Sequence, residues 1–170
     1  MLQTIASKKV VKKSVKKKVI KKPADKNQQT IDKALEILED RLRKPGRGFT
    51  SPEDTKNYLM LKLATLEHEI FSIMYLDNKH RLIQYADLFR GTINQASVYP
   101  REVVKEALKH NAAAVILTHN HPSGIPEPSE DDKRLTARLA DALAVLDIRV
   151  IDHIIVGGLN TVSFAERGLI

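Results

Sequence analysis

The run AAAVILTHNHPSGIPEPSEDD, from Ala112 to Asp132, decides how this chain is read. Ala112–Leu117 is a short apolar stretch of the length and composition of a strand buried on both faces. It runs directly into Thr118-His119-Asn120-His121. In extended backbone, residues i and i+2 share a face, so His119 and His121 present two imidazoles to one point at the end of that strand. A loop stiffened by Pro122, Pro126 and Pro128 follows, and Ser129 opens a helix predicted to run to Leu146, with Leu135, Leu139, Leu143 and Leu146 at helical spacing. Asp132 falls on the first turn of that helix, which the loop can return over the strand end. Two histidines, one carboxylate and an open fourth position at the carboxyl edge of a sheet describe a catalytic zinc site. Ser129-x-x-Asp132 also has the spacing of a capping box, which by itself accounts for both residues.

A hydrolytic metal centre needs a base for the water it acidifies. Glu67, Glu69 and Glu102 are the candidates, and Glu69 begins a strand-like segment, Glu69–Leu76. The Ser129 hydroxyl is a candidate for polarising a substrate carbonyl or stabilising its oxyanion.

Working outward, Thr30 is predicted to cap a helix through Arg43, with Ile31, Ala34, Leu35, Leu38 and Leu42 on one face. Ser51-Pro52-Glu53-Asp54 is a second helix start. Asp77–His80 is a turn before a strand over Arg81–Tyr85, Gly91–Tyr99 contains a further candidate strand, and Pro100–Lys109 is a helix. Ile148–Val156 is a second buried strand, followed by a short one near Val162–Phe164. Alternating strands and helices predict an α/β fold with a central sheet flanked by helices. His153 is expected on a strand near the core in a supporting role, and His68, His80 and His110 on the surface. Tyr58, Phe71 and Phe164 are expected in the core.

The chain has 170 residues, 42% of them hydrophobic, and no cysteine, which excludes disulfides, thiolate ligands and a cysteine nucleophile. No apolar run approaches the ~20 residues a membrane span requires, and no secretory signal is evident, so a cytoplasmic protein is expected. The net charge of +7 is unevenly placed: residues 1–22 hold nine lysines and no acid, and subtracting those nine leaves −2 for the rest. Residues 1–29 are therefore expected to be a basic tail and linker, 30–50 a helix and loop, and 51–170 the main domain. A lysine block of this kind is a possible DNA contact. H-E-x-x-H fails because Ser72 stands where the second histidine would be, there is no phosphate-binding P-loop, and the deaminase signature lacks its cysteines.

The pattern H-x-H-P-x-G-x-x-x-P-S-x-x-D, His119 to Asp132, resembles the JAMM metalloprotease motif in the form carried by RadC-like JAB/MPN proteins. The resemblance extends through Glu69–Asp77, Gly91–Asn94, Pro100–Val104, Asp152–Gly157 and Ser163–Gly168. It implies a JAB/MPN fold, a mixed sheet sandwiched by helices and similar to that of the cytidine deaminases. It further implies one Zn2+ on His119, His121 and Asp132, Glu69 as general acid/base, and Ser129 beside the oxyanion. Tyr99 stands where many members carry histidine, and the chain resembles a short form without the helix-hairpin-helix region of longer members. Such a protein would be a zinc metallopeptidase or isopeptidase acting on a protein or peptide; in this family class the known chemistry is removal of ubiquitin-like tails. The alternatives are a metal-dependent nuclease and a non-catalytic DNA- or protein-binding module linked to DNA repair or mobile elements.

Overall fold

A computed structural model describes residues 26–44, 52–91 and 98–170. The lysine tail, Ser51 and most of the Gly91–Tyr99 candidate strand lie outside the described residues. The elements are α1 (Lys26–Arg43), α2 (Pro52–Leu63), β1 (Ile70–Leu76), β2 (Leu82–Arg90), α3 (Pro100–Lys109), β3 (Ala114–Asn120), α4 (Glu130–Ala144), β4 (Arg149–Gly157) and β5 (Asn160–Ser163). The sheet order is β2-β1-β3-β4-β5. Only β3 and β4 run parallel, joined across α4; β1 pairs antiparallel with both β2 and β3, and β4 with β5. This is the mixed, helix-flanked α/β sheet that the sequence predicts.

Side-chain parity divides the core into two layers. Phe71, Ile73 and Tyr75 of β1 and Val115 and Leu117 of β3 pack against Val103 and Ala107 of α3 and Leu139 and Leu143 of α4. The alternate residues Met74, Leu76, Ala114 and Ile116 pack with Tyr58, Leu59 and Leu63 of α2 and with Leu42 of α1. Every residue of the central strand β3 is buried, as an apolar run covered on both faces requires. Phe164 is likewise buried.

Some boundaries differ from expectation. Helix α1 begins four residues before Thr30, whose hydroxyl donates to the Lys26 carbonyl from inside the helix (3.0 Å) instead of capping it. Strand β2 continues five residues past Tyr85, because pairing with β1 extends to Ile70 and Arg90. Leu146 lies beyond α4 and is exposed, so the buried stripe of that helix ends at Leu143. His68 is exposed, whereas His80 and His110 are half-buried, His110 against the Tyr75 ring.

Candidate metal centre

Strand β3 ends in His119 and Asn120, which point to opposite layers. His119 is 1% exposed and stacks on Phe71, its partner across the sheet. His121 is the first residue past the strand, anchored by its N–H to the Val156 carbonyl at 2.8 Å. The proline loop then folds back across β4. A Cβ on Gly157 would sit 2.6 Å from the Pro126 nitrogen and 2.8 Å from the Gly124 carbonyl oxygen, so only glycine admits the loop at this distance. Gly124 makes the turn at φ +81°, a conformation that costs glycine little. The loop delivers Ser129 as the N-cap of α4, and Asp132 faces the histidines from the first turn.

The side-chain donor atoms of His119, His121 and Asp132 lie within 4.8 Å of one another, a group that can hold a metal ion. His119 Nε2 is 2.9 Å from His121 Nε2 and 3.3 Å from Asp132 Oδ1, and His121 Nε2 is 3.7 Å from Asp132 Oδ2. Ligands about 2.0–2.1 Å from one tetrahedral zinc are about 3.3 Å apart, so these spacings fit a single ion.

The surrounding hydrogen bonds fix which nitrogens carry protons. The Thr136 hydroxyl donates to the Asp132 carbonyl (2.6 Å), leaving its oxygen to accept from His153 Nδ1–H (2.6 Å). Neutral His153 then has a bare Nε2, which accepts from His119 Nδ1–H at 2.8 Å. His121 Nδ1–H donates to the Ile125 carbonyl at 2.8 Å, because a carbonyl can only accept. Both Nε2 atoms are therefore left with lone pairs facing one another and a carboxylate. A cation relieves this convergence, and the donor set fits one. Burial lowers the His119 pKa to about 4, opposed by Asp132 and assisted by His121. Burial first, then His119 and His121, hold His153 well below its ordinary value. His119 and His153 are thus neutral near pH 7, and neutral imidazole is the state in which His119 can ligate a metal.

The cap and ligand readings of Asp132 hold together. Its Oδ2 accepts from the Ser129 N–H (2.8 Å) and the Ser129 hydroxyl (2.6 Å), while its own N–H donates to Ser129 Oγ (3.1 Å). The cap clamps the carboxylate and leaves Oδ1 toward His119. It also engages the single Ser129 hydroxyl proton, so that hydroxyl must rotate away from Asp132 before it can serve an oxyanion.

The three carboxylates considered for the base separate clearly. Glu67 is exposed, and Glu102 forms ion pairs with Arg101 and Lys105 on the surface of α3. Glu69 is half-buried and feels the site: burial raises its pKa above the ordinary value, His121 opposes the shift, and Asp132 adds to it. Its odd number gives it the parity of Phe71 and His119. Residues that sequence reasoning did not single out are Thr136, which directs the His153 tautomer, Gly157, which admits the loop, and Asn120. Only a polar residue at the buried middle position of H-x-H could have signalled Asn120.

Comparison with known proteins places this arrangement. The RadC-like JAB domain matches residues 49–169. A UPF0758 protein of Vibrio cholerae is 59% identical over 140 residues, 82% of this chain and 87% of that protein. UPF0758 proteins of Nitrosococcus oceani and Marinobacter nauticus are 54% and 52% identical, each over 84% of this chain. This chain spans only 63% of the length of each of those two. Among the described residues no helix is long and apolar enough to cross a membrane. The match over most of its length, with the His119–His121–Asp132 cluster at its centre, makes this chain a member of the RadC-like JAB domain family.

Proposed function

We propose that this protein is a zinc-dependent hydrolase of amide bonds, a metallopeptidase or isopeptidase, cutting a protein or peptide substrate. One observation carries the reading: two bare imidazole nitrogens and a clamped carboxylate converge on one point, with a half-buried Glu69 electrostatically coupled to them. A divalent ion held by His119, His121 and Asp132 would acidify a water and polarise a carbonyl. Glu69 takes the proton of the attacking water and delivers it to the leaving amine nitrogen; burial raises its pKa, which makes it a stronger base for the first transfer. His153 and Thr136 hold His119 in the ligating tautomer, and Ser129 holds Asp132. Zinc is favoured over harder ions because the donor set is imidazole-rich.

The test is elemental analysis of wild type beside His119→Ala and Asp132→Ala, with hydrolysis of a quenched-fluorescent peptide library followed with and without chelator. About one zinc per chain in wild type, little in either variant, and chelator-sensitive cleavage are expected. Wild type without stoichiometric metal, or full retention in both variants, overturns the reading. The nine lysines of residues 1–22 favour a second reading, in which the same centre acts on DNA; chelator-sensitive cleavage of labelled DNA, with none of peptides, would select it.

A further inference from the structure

We infer that Asn120, the middle residue of His119-Asn120-His121, is a positioning residue that holds the Glu69 segment against the metal-ligating strand. The inference rests on the reading of Glu69 as the base. Asn120 is 2% exposed and turns away from the histidines, toward the layer of α1 and α2. There its amide is filled: Oδ1 accepts from the Ile70 N–H at 2.8 Å, and Nδ2 donates to the His68 carbonyl at 2.9 Å and more weakly to the Leu66 carbonyl at 3.4 Å. The first two partners are the residues on either side of Glu69. The Glu69 carbonyl itself accepts from the Gly91 N–H at 2.8 Å. Three consecutive residues are thus pinned through their backbone, although the regular ladder of β1 starts only at Ile70.

One side chain thereby sets a distance that neither segment fixes alone. His119 and His121 flank Asn120 in the chain, and the strand geometry that aims them at the ion aims Asn120 oppositely, into the chain on either side of Glu69. The base is tied to its ligands across about 50 residues of intervening sequence. Alanine at this position would take away the Asn120 partners of the Ile70 N–H and the His68 carbonyl, and the segment would move to satisfy them elsewhere. Aspartate as a carboxylate would keep the acceptor for Ile70 and lose both donors.

The test compares Asn120→Ala and Asn120→Asp with wild type and Glu69→Gln in the zinc-loaded full chain, using the same peptide library and amide hydrogen exchange. The expected result is unchanged zinc content and a kcat lowered on the order of 10–100-fold with little change in KM. In the Glu69→Gln background, Asn120→Ala should cause less than about a two-fold further loss, since both changes remove one function. Ile70 exchange should accelerate while the β3 amides stay protected. Wild-type kcat in both variants, loss of zinc in step with activity, an undiminished factor in the Glu69→Gln background, or unchanged Ile70 exchange would each overturn the inference. If Glu69→Gln itself turns over normally, the base assignment fails, and the clamp is decided by Ile70 exchange alone.

Discussion

The two halves of this site are assembled by opposite means. The ligand half, His119 to Asp132, is one continuous stretch: a strand end, a proline loop and a helix cap whose local geometry nearly completes the cluster. The base half, Leu66 to Ile70, has little structure of its own and takes its position from Asn120 and Gly91. The ligand cluster closes largely within one segment seated on β4 through His153, Val156 and Gly157, whereas the base is held by backbone contacts to β3 and to Gly91. Metal retention and turnover should therefore separate under mutation.

The largest separation is expected from Glu69→Gln, which should keep its zinc and lose about 10²–10⁴-fold in kcat, read by elemental analysis beside peptide hydrolysis. Turnover within a few-fold of wild type would show that the base half contributes no proton transfer. Next comes Thr136→Val, on the ligand side. It removes the acceptor for His153 Nδ1–H and frees His153 to turn its other tautomer toward His119. Zinc affinity should fall on the order of 10–100-fold in competition with a chromophoric chelator, and Ile70 exchange should not change. Equal loss of affinity in Glu69→Gln would erase the distinction between the halves.

Gly157→Ala tests the proline loop inside the ligand half. Its Cβ would meet Pro126 and Gly124 at 2.6–2.8 Å, forcing the loop outward at a cost of roughly 1–3 kcal/mol, read as a lower urea midpoint together with weaker zinc binding. An unchanged midpoint would mean that the loop is not seated on β4. The smallest effect concerns pH. His119 titrates near 4 when folded and near its ordinary 6.5 when unfolded. Between those values the unfolded chain binds more protons, so metal-free protein should lose stability as pH falls from 6.5 toward 4, by up to about 1.4 kcal/mol per pH unit from this group. Above 6.5 this contribution is constant. Urea midpoints that stay level across that window would contradict a buried neutral His119.

Much of this is legible in the sequence. The apolar run before His119, the loop prolines, the Ser129 cap and the ligand spacing are all local, although the strand starts at Ala114 and runs on to Asn120 instead of covering Ala112–Leu117, and the helix over Pro100–Lys109 is opened by its own proline. The true start of α1 was not legible, because Thr30 has the composition of a cap and only the fold places Lys26–Gln29 in the helix. Nor was the engagement of the Ser129 proton, which depends on the rotamer of Asp132.

What the sequence determined by itself was the His119, His121 and Asp132 cluster that could hold a metal, and its α/β setting, because histidines two apart on a strand and an acid in a capped first turn follow from backbone geometry over a few residues. What only the tertiary structure shows is that Glu69 is half-buried and electrostatically coupled to His121 and Asp132, and what holds its backbone there. Sheet register and the buried Asn120 amide bring Glu69 under the influence of His121 and Asp132, because contacts between residues 50 apart exist only once the strands have paired.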